Sequence, residues 1–296
     1  MKTRKFLPIL ITGFFVAFLF ASCDKKDNNN VSTSITDDEV TMEEDNSMAD
    51  AIFEETDNTV ESTVSQLDQT GYSVATLKST NDAPCRVVTV DFADSTQFPK
   101  VITIDYGDGC TYVFNNDTIV KKGQIVITVT GRYFATGSSR TIEFVNFYVN
   151  DIKIEGTRTI TNLGLNNAGH YEFSLQLQGG KIIVNDTLQF TRESQRKREL
   201  ILGNLFDIAD DELLITGEVH GVNFRGEQYV RSIIEPLHLT SCLFIVSGKI
   251  ESQVGDNSPV TLDYGNGTCD NVATLSRDGN TRQITLRFRH RIRRVF

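Results

Sequence analysis

Apolar and polar residues alternate along most of the chain from about residue 84 onwards. The segment 171–178 alternates without interruption, and Ile125, Ile127 and Val129 share one face of another such run. Alternation with a period of two indicates strands that have one buried and one solvated face. Turn sequences rich in glycine separate these runs, and the chain contains only five prolines. We therefore predict a mostly antiparallel all-β structure, folded either as a sandwich or as a curved meander.

A helical pattern precedes the strands. Apolar residues recur there at steps of three or four residues, with gaps, at Met48, Ile52, Val60, Val64 and Leu67. Ser47 and Asp50 resemble the capping box that starts a helix. We predict a short helical spacer at 47–70, which rests on the β body at 71–296; the alternative is a helix that binds a partner.

The first twenty-three residues form a third pattern. Three basic residues precede an apolar run of fifteen residues at 6–20, and Ala21-Ser22-Cys23 follows. A membrane-spanning helix needs about 20 apolar residues, so the run predicts a secretory signal at 1–22 rather than a span. No other stretch of the sequence is apolar for long enough to cross a membrane.

A cysteine directly after the small residues of such a signal resembles the lipoprotein signal of bacteria, in particular of Bacteroidota, and the body resembles all-β envelope lipoproteins. The resemblance implies that Cys23 becomes the first residue of the mature protein and carries acyl chains such as palmitate. It also implies an anchor in the membrane of the cell envelope, expected to be the outer membrane. The side on which the protein is displayed stays open.

Negative charge is concentrated behind this predicted anchor. Residues 24–69 hold fourteen acidic and two basic residues, whereas residues 70–296 hold 25 acidic and 24 basic residues. Such a composition is typical of a solvated, disordered segment, so we predict an acidic flexible tether at 23–46. A net negative chain without a basic aromatic patch argues against a nucleic-acid partner.

Two segments of the β body carry the same motif. VITIDYGDGC at 101–110 matches PVTLDYGNGTC at 259–269, and a further cysteine precedes each segment. Gln124 and Gln283 each lie fourteen residues after the motif's cysteine and begin an alternating run. We interpret this as a duplicated unit, at about 84–134 and 241–292.

Four cysteines remain when Cys23 is acylated, and four cysteines allow three pairings. The repeat selects Cys85 with Cys110 and Cys242 with Cys269, because each pair then closes one unit. Export to the envelope favours oxidation. The alternative is a site in which four cysteines bind a metal ion, which the absence of any close C-x-x-C spacing disfavours.

The DYG turns are the best candidates for a binding site. Asp105, Asp108, Asp263 and Asn266 place side-chain oxygens beside glycine-rich backbone, the setting in which Ca²⁺ finds ligands. The alternative interpretation is a tight turn, in which glycine supplies positive φ and aspartate caps the backbone.

A second candidate is the C-terminal strand, where one face carries Arg287, Arg289, Arg291 and Arg293. Such a row would suit an anionic partner. The alternative is that the charges protect an edge strand from pairing with other chains.

Signals for catalysis are weak. The sequence contains no metalloprotease, hydrolase, phosphate-loop or dinucleotide motif, and it predicts no cofactor. Ser194 and Lys197 fit the S-x-x-K pattern, but they stand in a charged run that we predict to be a loop.

We expect a non-catalytic envelope protein that binds a glycan, a lipid or a protein partner. The first alternative is a structural or assembly component of the cell surface. A carbohydrate-active hydrolase is the second, and it would need two carboxylates facing each other across a cleft.

Overall fold

The structure, a computed structural model, describes residues 34–72, 76–78, 85–91, 97–114, 117–204, 207–242 and 244–286. The chain divides into two compact units, Met1–Val31 and Ser32–Phe296, and the first lies outside the described residues. The elements of the second unit are α1 (Asp37–Gln69), β1 (Thr76–Lys78), β2 (Val87–Asp91), β3 (Lys100–Asp105), β4 (Cys110–Phe114), β5 (Asp117–Val129), β6 (Ser139–Val149), β7 (Ile152–Leu165), β8 (Tyr171–Val184), β9 (Leu188–Asn204), β10 (Asp207–Val222), β11 (Gln228–Leu239), β12 (Ile245–Val254), β13 (Val260–Asn266), β14 (Val272–Arg277) and β15 (Asn280–Thr285).

All fifteen described strands belong to one sheet, and their order in space follows their order in the chain. Every described pair is antiparallel, and only β4 leaves the path, because it pairs with β5 alone. The predicted all-β, antiparallel fold is confirmed. Of its two versions, the meander is the one found, since a single sheet leaves no second sheet for a sandwich.

Helix α1 is surrounded by other parts of the chain. Residues 53–57 are five consecutive buried positions, and five positions exceed one helical turn. A helix buried through a complete turn must have neighbours on every side. Its 33 residues give it a length of about 50 Å, so the sheet covers a long helix rather than a short spacer.

The helix begins ten residues before the predicted start. Thr36 is the N-cap: its hydroxyl accepts a hydrogen bond from the Glu39 amide at 3.2 Å, and the Glu39 carboxylate accepts one from the Thr36 amide at 2.8 Å. Ser47 and Asp50, predicted to cap the helix, lie buried within it. The prediction placed the boundary wrongly because two sequences fit the capping-box pattern, and residues 37–46 belong to the helix instead of the tether.

Bulges cross the middle of the sheet and bend its strands. The pairing register shifts next to a glycine on five strands, at Gly123, Gly156, Gly179, Gly217 and Gly248. At Gly123 the backbone has φ +83°, and a Cβ atom would lie 1.9 Å from the Asn146 carbonyl oxygen. A bulge increases the local twist and bends the strand, which lets the sheet follow the surface of α1.

Apolar residues of the helix and the sheet form one large cluster and a smaller second one. In the first, Phe53, Val60 and Leu67 of α1 pack with inward residues of β3 and β5 such as Ile104 and Ile127. The second joins the later strands, from β10 to β15, around Leu262.

Within the described part of the chain, no helix has the length and apolar character that a membrane crossing requires.

Candidate functional site: the charged interior

Arginine side chains of β9 point into the interior of the sheet. Arg192, Arg196 and Arg198 are buried, whereas Gln195 and Lys197 between them are exposed. This stretch is the charged run that the sequence predicted to be a loop. The prediction was wrong because a strand with a charged buried face has the same composition as a solvated loop. Ser194 is buried and Lys197 exposed, so this pair lies on opposite faces.

Further strands add cations to the same interior. The buried basic side chains of the described strands number nine, and they are Lys100, Lys121, Arg140, Arg158, Arg192, Arg196, Arg198, Arg231 and Arg277. A buried charge without a partner costs several kcal/mol, so these cations require a matching set of anions.

Helix α1 supplies the anions for eight of these cations, while the Lys100 ammonium donates a hydrogen bond to the Gln97 carbonyl oxygen at 2.7 Å. The helix has no lysine, arginine or histidine, and seven of its acidic residues are buried, namely Glu43, Asp50, Glu54, Glu55, Asp57, Glu61 and Asp68. Five of them follow each other at steps of three, four or seven residues from Glu43 to Glu61, which places them along one side of the helix. We call these acidic residues and the strand cations that they contact the interior ion-pair network.

Asp50 lies at the centre of the network. Its carboxylate contacts Arg196 at 2.8 Å and Arg231 at 2.9 Å, and it also pairs with Arg192. Burial alone would raise the pKa of Asp50, but the three guanidinium groups outweigh burial and hold the pKa below its ordinary value. Glu43 binds the other nitrogen of Arg231 at 2.9 Å, so that the Arg231 guanidinium is shared between two carboxylates.

The next group of the network lies two turns further along the helix. Asp57 contacts Arg158 at 2.5 Å and Arg198 at 3.2 Å, and Glu54 lies 3.7 Å from Arg198. Here burial dominates and raises the pKa of Asp57, with the charge of Glu54 adding to the rise against both arginines. The pKa of Arg198 is raised, because its carboxylate neighbours outweigh the effect of burial.

Two pairs connect the helix to the first strands. Glu61 lies 2.9 Å from Arg140 and also accepts a hydrogen bond from the Tyr133 hydroxyl. Glu55 pairs with Lys121 on β5, and both side chains are almost completely buried. Glu55 and Glu61 lie on different sides of α1, so cations of the sheet reach the helix from more than one direction.

Two further ion pairs form at the start of the helix. Glu39 binds the buried Arg277 at 3.1 Å, whereas the pair of Asp38 with Arg225, at 2.8 Å, is exposed. The hydrogen bond from Arg277, with those from Thr36, lowers the pKa of Glu39 against the opposing effect of its burial. Ion pairs therefore follow α1 from its first turn to its last, where Asp68 meets Arg132 at 3.1 Å.

A small cavity remains between the helix and the late strands. Its volume is about 20 Å³, and it is lined by Ser47, Asp50, Ala51, Phe244, Ile245, Tyr264 and Leu286. This is room for about one water molecule, and far below the several hundred cubic ångströms of a typical ligand pocket. Burial also raises the pKa of the lining Tyr264 to about 12, so its hydroxyl is neutral at physiological pH.

The two predicted cysteine pairs are confirmed as disulfide bonds. Cys85 and Cys110 have their Cα atoms 5.5 Å apart, and Cys242 and Cys269 have theirs 5.7 Å apart. Both separations are typical of disulfides. Each bond joins the segment before one strand of a hairpin to the segment after the other strand, in the hairpins β2–β3 and β12–β13.

The first aspartate of each DYG turn accepts hydrogen bonds from nearby groups of the chain. Asp105 accepts hydrogen bonds from the Gly107 amide and the Gln124 side chain, both at 2.8 Å. Asp263 accepts one from the Gly265 amide at 2.9 Å. Asp108 is exposed, the Asn266 oxygen bonds the Thr268 hydroxyl, and no cluster of three metal-binding side chains occurs among the described residues. Calcium binding at these turns stays a prediction.

The two halves of the predicted repeat differ after their DYG turns. Gln124 lies on β5 directly opposite Asp105 of β3. Asp263 of β13 instead pairs with Thr274 of β14, and Gln283 lies one strand further away on β15. The glutamines thus occupy different places in the sheet, and the similarity between the halves is confined to the hairpin, the turn and the disulfide.

Two predicted sites lie outside the described residues. They are the acylated Cys23 and the arginine row Arg287, Arg289, Arg291 and Arg293.

Sequence reasoning missed the interior network. One signal was the recurrence of acidic residues at steps of three, four or seven in the segment predicted to be a tether and a spacer. The other was arginine at positions that alternation assigns to a buried face, such as Arg158 two residues before Ile160. Each signal alone indicates a solvated surface, and only their combination indicates a paired interior.

Comparison of the chain with protein-family models, with curated proteins and with solved structures found no match.

Proposed function

We propose that the chain is a lipid-anchored protein of the cell envelope that acts without catalysis, as a binding module for a glycan, lipid or protein partner. The observation that carries the proposal is that α1 fills the interior of the sheet and pairs with its inward cations. In this account the network holds the helix and the sheet together, and the partner binds elsewhere.

The network differs from a catalytic site in its access. General acids and bases act on a substrate within hydrogen-bonding distance, which requires an open face. Asp57 is completely buried and Glu43 and Arg231 nearly so, and each has its charge partner inside the protein. Strongly shifted pKa values also occur in structural ion pairs, so the shifts of Asp50 and Asp57 do not by themselves indicate catalysis.

The outer face of the sheet is the surface that remains for a partner. Among the residues from position 70 onwards whose burial the structure describes, nine basic residues and no acidic residue are buried, since the buried acidic residues all belong to α1. Nine basic and 21 acidic residues of the same set are not buried, which gives them a formal charge of −12. Such a surface favours a neutral glycan or a protein with a basic patch over an anionic lipid.

The anchor places α1 close to the bilayer in this proposal. The N-cap Thr36 lies thirteen positions after Cys23, and a fully extended chain of that length spans at most about 45 Å. Each buried methylene of an acyl chain contributes about 0.8 kcal/mol to membrane binding. A Cys23→Ser variant should therefore lose detergent partitioning and fatty-acid labelling; retention of both would contradict the anchor.

Binding at the outer face can be tested by photo-crosslinking on intact cells. A photoreactive residue is placed at Leu165, Leu202 or Ile234, which are 61 %, 61 % and 51 % exposed, and the unanchored Cys23→Ser protein serves as the control. Discrete crosslinked species from one or more of these positions would support a binding module. No crosslink from any of them, or hydrolysis of envelope glycan by the purified protein, would contradict it. Recovery only in a complex of fixed composition would favour the structural alternative.

A further inference from the structure

The contacts that hold α1 in place are separable from the rest of the fold. Each ion pair of the interior network joins a helix residue to a residue of the sheet, as Glu55 does with Lys121 and Glu61 with Arg140. The helix contributes no strand to the sheet, whose pairings all follow from the chain after it. Recognition between the two parts therefore depends on charge and shape, and not on their being connected.

Helix α1 is poorly suited to exist without the sheet. Its acidic residues repel each other at a spacing of four residues, as Asp50 and Glu54 do, or Asp57 and Glu61. Its last turn carries Asp68 and no basic residue, which is unfavourable next to the negative end of the helix dipole. The sheet likewise cannot bury the eight cations that pair with α1 unless an acidic partner is present. During folding, each part must find a complementary part.

The path of strands also leaves a place where the interior can open. Among the described strands, β1 and β15 end the sheet and do not pair with each other. A helix could therefore reach the interior past these two ends without the loss of any ladder of backbone hydrogen bonds. Only the segment between Gln69 and Thr76 connects α1 to the first strand.

We propose that the interior of the sheet is a receptor for an acidic helix, and that the α1 helix of a second copy of this chain fills it when two copies fold together. The product is a dimer in which the helices are exchanged and every ion pair of the network is formed between chains. Exchange of an identical element requires no new contact, because the second helix brings the same carboxylates to the same cations. The proposal does not depend on the anchor or on a partner at the outer face.

Charge-swapped variants of the full chain test this exchange. Glu55→Lys places two cations together in its own interior, and Lys121→Glu places two anions together. When both variants are unfolded and refolded as an equimolar mixture, helix exchange would match Glu55 of one copy with Lys121 of the other, and the two substituted residues with each other. The matched control is the double variant E55K/K121E, which is complementary within one chain.

The expected result is a dimer that contains one copy of each variant, detected by native mass spectrometry and with a melting temperature close to that of the double variant. The dimeric fraction should be at least about tenfold larger in the mixture than in a sample of either variant alone. Monomers that melt like the separate single variants would overturn the proposal. Refolding of wild-type protein as a mixture of isotopically light and heavy chains gives a second measurement, because exchange predicts dimers of mixed mass and its absence predicts monomers only. Should the Glu55 variants fail to fold, Glu61→Arg with Arg140→Glu replaces them.

Discussion

Asp50 accepts a hydrogen bond from Arg196 at 2.8 Å, although 146 residues separate them in the chain. The same carboxylate binds Arg231, 181 residues away, at 2.9 Å. A residue of the first element is thus bonded to the ninth and eleventh strands in the interior of the sheet. Such contacts hold α1 against strands that are far from it in the sequence.

Removal of the central carboxylate should destabilise the protein strongly. Asp50→Asn leaves Arg192, Arg196 and Arg231 close together without their shared anion. The loss of one member of a buried ion pair costs about 3–5 kcal/mol, and we expect a loss in this range from urea unfolding. The control is Asp38→Asn, whose exposed pair with Arg225 should be worth at most about 1 kcal/mol. Equal losses of unfolding free energy from both substitutions would show that the interior network stabilises the protein no more than an exposed ion pair does.

The contribution of Asp50 should depend on pH with a definite sign. Its pKa is lowered in the folded protein, because three arginines outweigh its burial. Such a group adds stability at pH values above its unfolded pKa of about 4, and this stability is lost as the pH falls towards the folded pKa. The difference in unfolding free energy between wild type and Asp50→Asn should therefore shrink below about pH 4.

Asp57 provides the opposite case in the same pH series. Its pKa is raised, chiefly by burial, so the folded protein holds that proton more tightly than the unfolded chain does. The unfolding free energy of the wild type minus that of Asp57→Asn should consequently increase as the pH falls. Parallel pH profiles for the two variants, measured by urea unfolding, would contradict the assignment of their charges.

Sequence patterns predicted the strands well and the interior poorly, for a physical reason. Alternation in 171–178 reports burial of one face, and the alternating residues are indeed on β8. Alternation of Arg192, Arg196 and Arg198 reports burial equally, but charged residues on a buried face are rare, so the composition of this run predicts a loop. The acidic helix was divided between a tether and a spacer because its carboxylates have no cation within the helix. Their partners lie on strands far along the chain, 188 residues away for Glu43 and Arg231 and 238 for Glu39 and Arg277, and the local pattern contains no trace of these pairings.

The bulge at Gly123 should tolerate no side chain. Its backbone has φ +83°, and a Cβ atom would lie 1.9 Å from the carbonyl oxygen of Asn146. Gly137 has the same φ with no atom within 4 Å, so it separates backbone strain from steric overlap. We expect Gly137→Ala to cost about 1–2 kcal/mol and Gly123→Ala to cost clearly more, by thermal or urea unfolding. A similar cost at both positions would mean that the steric overlap of the new Cβ atom with β6 is relieved without a loss of stability.

Each disulfide should stabilise the body independently. The bonds close segments with sequence separations of 25 and 27 residues, which corresponds to about 3 kcal/mol each in the chain-entropy description. The double substitution Cys85→Ser/Cys110→Ser should lower the unfolding free energy by that amount, and the equivalent change at Cys242 and Cys269 serves as its counterpart. Non-reducing mass spectrometry must show the other pair intact in each variant. A link between Cys85 and Cys269 in the wild type would be inconsistent with this arrangement.

The most direct measurement of the central claim, that α1 and the sheet are held together by matched charges, is a double-mutant cycle at Glu61 and Arg140. These residues lie 2.9 Å apart and are both buried. Glu61→Arg and Arg140→Glu should each lower the unfolding free energy by about 3 kcal/mol or more, because each places two like charges in the interior. The account predicts that E61R/R140E in one chain is more stable than either single variant, because opposite charges face each other again. A double variant whose loss equals the sum of the two single losses would contradict it.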